Sequence, residues 1–74
     1  MTKAIEVVSM KVPTKEEIEI VQMIADDYSP EDIATEKHVS IRDIYELVLG
    51  IKKEYRVKHH AALVSLFFRN KLIK

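Results

Sequence analysis

Arg42, Tyr45, Glu46, Leu49, Lys52, Lys53 and Arg56 are the side chains whose types and spacing carry the most chemistry here. They recur at steps of three and four, which gathers side chains along one face of an α-helix. The cationic groups of Arg42, Lys52, Lys53 and Arg56 suit phosphate oxygens. Tyr45 can donate through its hydroxyl, and Glu46 can accept from the exocyclic amine of cytosine. Such a face is fitted to a polyanion that also displays base edges. The plainer reading is a solvated helix face, or one that meets another protein. Reaction chemistry is missing. There is no cysteine, no Gly-rich phosphate loop and no Ser nucleophile beside a base. His59 and His60 are adjacent and point apart on a helix, His38 falls in a turn, and tetrahedral zinc needs more ligands than these. The sequence therefore predicts no catalytic residue, no metal site, no cofactor and no small-molecule substrate.

The helix that must position the stripe is marked by its other face. Ile44, Leu47, Val48, Ile51 and Tyr55 repeat at the same steps and form a stripe for a core. Ser40, followed by Asp43, marks its start, so residues 40–55 read as one helix. A shorter helix precedes it. Ser29 is placed to cap its first turn, Pro30 suits its first position, and Asp32 completes a Ser-x-x-Asp start. The two are joined by a tight turn around His38 and Val39. Upstream, Pro13 and the pair Thr14 and Glu17 open a first helix whose buried stripe is Ile18, Val21, Ile24 and Ala25. Asp27 is expected in a left-handed conformation near its end. Downstream, Arg56-Val57-Lys58 is a short connection. A fourth helix then runs from about His60 to Arg69, with Asn70 as its left-handed stop. Its apolar residues nearly surround it, which is more than one core requires. Leu66 and Phe68 are the expected exposed pair, and a second copy of the chain, or another domain, the expected cover. His60 is expected to pair with a first-helix carboxylate such as Glu17.

Residues 1–12 lack a helical period and are rich in β-branched residues. They read as an extended arm, packed on the domain or on a second copy, or else as a frayed terminus. Residues 13–74 form one domain. One Gly and two Pro in a chain of 74 residues, 47% of them hydrophobic, point to helices with tight joints. The net charge is zero, yet residues 13–28 sum to −4 and residues 57–74 to +4. An anionic partner should therefore approach the Lys52–Lys58 end and avoid Glu16–Glu19. No stretch is long and apolar enough for a membrane helix, no signal-peptide pattern is present, and a cytoplasmic location is expected.

From Pro13 to Ile73 these blocks resemble, without a gap, the LuxR/GerE-type helix-turn-helix, the DNA-binding domain of many bacterial transcription regulators. The family's opening Thr-x-x-Glu-x-Glu is matched by Thr14, Glu17 and Glu19. Its Ser-Asn-Lys-Glu-Ile-Ala run is matched by SPEDIA, with Ser29, Ile33 and Ala34 retained. Val39-Ser40 stands for its Ile-Ser, and Lys71-Leu72-Ile73 for its closing Gly-Leu-Ile. The resemblance implies an all-α, four-helix domain that binds double-stranded DNA as a homodimer. Residues 40–55 would be the recognition helix, Ser40 a helix cap near a phosphate, and the fourth helix the pairing surface, with half-sites about one helical turn apart. The departures fall on the recognition helix. The family's Thr-Val-Lys-x-His is here Asp43-Ile44-Tyr45-Glu46-Leu47. The family's frequent Lys early in its second helix is Glu31, and its glycines after helix one and near the C-terminus are Asp27 and Lys71. The alternative expectation is thus a degenerate domain of this fold that serves protein–protein association without DNA.

Overall fold

The computed structural model describes residues 12–74. The arm expected over residues 1–12 lies, apart from Val12, outside the described residues. The described chain is all helical, without strands: α1 (Lys15–Ala25), α2 (Pro30–Lys37), α3 (Ile41–Glu54) and α4 (His60–Arg69). Three of the four starts are built as their sequences demand. The Glu17 amide donates to Thr14 Oγ1 at 3.1 Å, and the Thr14 amide to Glu17 Oε1 at 3.0 Å. Ser29 and Asp32 repeat this reciprocal pair at 3.1 and 3.0 Å, with Pro30 in the first turn. Ser40 Oγ accepts from the Asp43 amide at 3.0 Å. Each such cap stabilises its helix by about 1 kcal/mol. The start of α4, at His59, has no side-chain cap.

All four helices stop in the same way. Asp27, His38, Arg56 and Lys71 take φ of 70, 61, 58 and 59°. At each corner the left-handed residue's amide bonds three residues back: Asp27 to the Ile24 carbonyl, His38 to Thr35, Arg56 to Lys53, Lys71 to Phe68. The next amide reaches five residues back, from Tyr28 to the Met23 carbonyl, Val39 to Ala34, Val57 to Lys52 and Leu72 to Phe67. This is a Schellman stop, which satisfies carbonyls that the helix end would otherwise leave open. Glycine usually fills the left-handed position, and an L-residue there costs roughly 1–2 kcal/mol. The residue after each corner is apolar: Tyr28, Val39, Val57 and Leu72. At α4 the left-handed residue is Lys71 and not Asn70, whose φ is −93°. Asn70 instead donates its side-chain amide to the Leu66 carbonyl at 2.8 Å, one turn back.

With the corners fixed, α1 packs on α4 and α2 on α3. The core is Ile20 and Val21 from α1, Ile33 and Ala34 from α2, and Ile44, Val48 and Ile51 from α3. Tyr55, then Leu63, Leu66 and Phe67 of α4, and Ile73 of the tail complete it. The α1 stripe is rotated from its expected position. Ile20 and Val21 are fully buried, Ile18 and Ile24 only partly, and Ala25 is exposed. A helix squeezed between α4 and the C-terminal tail buries the side facing both, and the Lys74 amide donating to Gln22 Oε1 at 2.8 Å shows how close that tail lies. Across α1 and α2, Lys37 bonds the Glu19 carboxylate.

That pair makes stability pH-dependent. The Lys37 hydrogen bond and charge, helped by Lys15, hold the Glu19 carboxyl below its usual 4.5. A carboxylate with a lowered folded pKa stabilises the fold above its unfolded value, and the benefit is lost as pH falls through the folded value. Acid titration of the urea midpoint should therefore steepen below 4.5 in wild type. In Lys37→Gln that acid limb should be flatter.

The chain's one glycine, Gly50, sits at none of the corners but in the interior of α3, exposed, where an added Cβ meets nothing within 4 Å. Glycine there costs roughly 0.5–1 kcal/mol relative to alanine. Gly50→Ala should raise the thermal midpoint by a few degrees (roughly 2–8 °C). A lower midpoint would show that this position tolerates glycine alone.

Candidate nucleic-acid interface

α3 divides its residues between two faces. Ile44, Val48 and Ile51 are buried, while Arg42, Tyr45, Glu46, Leu49 and Lys53 are exposed. Ser40 is exposed at the α3 start as well as capping it, so its hydroxyl stands beside the outward face. Arg42 Nε lies 3.6 Å from Glu46 Oε2, one helical turn on, with both side chains largely in solvent. An exposed pair of this kind adds little stability. It does set Glu46's charge against Arg42, so the two act on a partner as a nearly neutral unit.

Lys52 is only half exposed. It lies at the edge of a groove of about 360 Å³ whose lining includes Tyr28, Ile33, Tyr45, Leu49 and His60. Among the described residues, no carboxylate lines this groove. His60 is held below the usual imidazole range, first by burial and then by the charge of Lys52. The pairing expected between His60 and Glu17 does not form, because Glu17 caps the Thr14 amide and His60 instead faces a cation. Tyr28 also borders the acidic α1–α2 corner, where Asp26, Asp27, Asp32 and Glu36 line a second depression. A polyanion laid on α3 must keep clear of that corner.

Two expected site positions change. Arg56 lies beyond α3, in the left-handed corner, so the helical repeat that placed it on the stripe ends before reaching it. It remains exposed three residues after Lys53, at the end of the face and not on it. Leu66, expected in solvent, is 7% exposed and belongs to the core, whereas its companion Phe68 is 60% exposed. α4 turns Leu63, Leu66 and Phe67 inward together, and Phe68 falls on the other side. Ile41, the first residue of α3, is 40% exposed and stands on the outward face one turn before Tyr45. The four-residue step between them was the available signal. Among the described residues, no three His, Cys, Asp or Glu side chains gather to hold a metal ion, and no helix is long and apolar enough to cross a membrane. Comparison with protein-family models, with curated proteins and with solved structures finds no match.

Proposed function

We propose that the protein is a cytoplasmic, DNA-binding transcription regulator, a helix-turn-helix domain of the LuxR/GerE type that lays α3 in the major groove. The observation that carries this reading is the division of α3. One face is core, and the other offers Arg42, Tyr45, Leu49 and Lys53 to solvent, with Lys52 at its edge. Three residues, His38 to Ser40, join α2 to α3, and the two helices pack on each other, as the motif requires. The corners support the family reading. Asp27 and Lys71, which stand where the family commonly has glycine, both take positive φ. Homodimer formation through α4 is part of the proposal and now rests on Phe68 alone.

Lys and Arg contacts to phosphate make affinity fall with salt, with a log–log slope of about −0.9 per contact. Titrating the protein against random-sequence duplexes at low and moderate salt should give binding that weakens steeply between the two. A folded protein that binds no duplex even at low salt would remove the DNA reading. The apolar groove beside α3, with Tyr28, Tyr45 and Leu49 left in solvent, favours a second reading in that case: a surface for another protein's helix.

A further inference from the structure

We propose that α3 selects thymine-rich steps by packing an apolar stripe, Ile41, Tyr45 and Leu49, on the 5-methyl groups of the major groove. The inference rests on the DNA reading above and names what that face recognises. The three residues stand four apart, so they line one side of α3, and they are 40, 60 and 59% exposed. At a rise of about 1.5 Å per residue the stripe is about 12 Å long. Base pairs are spaced at about 3.4 Å, so it spans three to four of them.

The charges beside this stripe partly offset one another. Arg42 and Glu46 face each other at 3.6 Å. Lys52 is half covered at the groove edge beside His60. What Ile41, Tyr45 and Leu49 offer a base edge is mainly hydrocarbon and one aromatic ring, with the Tyr45 hydroxyl at its tip. The thymine methyl is the largest apolar group in the major groove, whose edges otherwise present mainly hydrogen-bonding groups. Set against guanine or cytosine edges, Ile41 and Leu49 would cover polar groups without satisfying them. Set against methyls, both sides lose apolar surface to water. Lys53 on the same face and Lys52 at its edge supply the charge complement for the flanking phosphates.

Deoxyuridine isolates the effect, because it keeps thymine's hydrogen-bonding edge and lacks only the methyl. The full chain is first enriched on a random duplex library at low salt, and an enriched duplex is then remade with deoxyuridine for thymidine. Each contacted methyl removed should weaken binding by about three- to fourfold. The penalty should shrink in Ile41→Ala and Leu49→Ala, each checked for helical content, while their salt slopes match wild type. Duplex binding that ignores the methyl in wild type, or a penalty that survives both substitutions, overturns this inference and leaves the DNA reading standing. Absence of any duplex binding overturns both.

Discussion

Phe67→Ala is expected to leave most molecules unfolded at modest urea, or without denaturant at physiological temperature. Phe67 is 1% exposed and stands edge-on to Tyr55, with ring centroids 5.4 Å apart and planes at 84°. Removing a buried phenyl ring costs about 3–5 kcal/mol, counting both lost burial and the cavity left behind. A chain of this length holds on the order of 4–11 kcal/mol in all. Tyr55 would also lose the neighbour that keeps it dry, and its hydroxyl, now pushed up to about 12 mainly by burial, should titrate closer to an ordinary tyrosine. Leu66→Ser should resemble Phe67→Ala, because Leu66 is core. Phe68→Ser should fold with stability within about 0.5 kcal/mol of wild type. If α4 pairs two copies, Phe68→Ser alone should shift sedimentation toward the monomer. A Leu66→Ser protein as stable as wild type would show that the core has been assigned to the wrong residues.

Lys52→Gln with Lys53→Gln should weaken duplex binding of every sequence by roughly tenfold at low salt and flatten the salt slope by about one unit per lost phosphate contact. The two should not contribute equally. Lys53 stands free on the surface, whereas Lys52 is half covered beside His60, so the single Lys53→Gln should carry the larger share of the slope change. Glu46→Gln should act in the opposite direction. It removes a negative charge from a face meeting a polyanion and also releases Arg42, now 3.6 Å from the carboxylate. Non-specific binding should rise a few-fold, and the slope should steepen as Arg42 reaches a phosphate. If all three changes leave binding untouched, α3 is not the surface that meets DNA.

The helix limits were legible because their determinants are local. Thr14, Ser29 and Ser40 act within one turn; the bounds of α4 were also as expected, although its left-handed stop is Lys71 and not Asn70. The buried face of α3 was readable from its spacing, because thirteen intervals of one helix average out local noise. α1 was misread by about one residue because Ile18, Ile20, Val21 and Ile24 are all apolar, and only α4 and the tail decide which of them is covered. Leu66 failed for the same reason. On a helix with apolar residues nearly all round, spacing does not choose a face, and packing does. Of the candidate site, α3's outward face was visible in the sequence, but the Arg42–Glu46 contact and the half-covered position of Lys52 at the groove edge depend on rotamers and neighbours.

The four left-handed corners are alike in hydrogen bonding but differ in what holds them down. Val57 and Leu72, which follow the corners of α3 and α4, are half buried against the core, while Tyr28 and Val39 remain exposed. Those two corners bound α2, the shortest of the described helices, with eight residues and only Ile33 and Ala34 buried. Amide hydrogen exchange should therefore sort the corners into two classes. The Val57 and Leu72 amides should exchange only when the whole domain opens, and the Tyr28 and Val39 amides should exchange earlier, together with α2, in a local opening. The unit that loosens first would then be the helix immediately before α3, so on the proposed DNA reading α3 could settle into a duplex with its neighbour adjusting and the rest of the core intact.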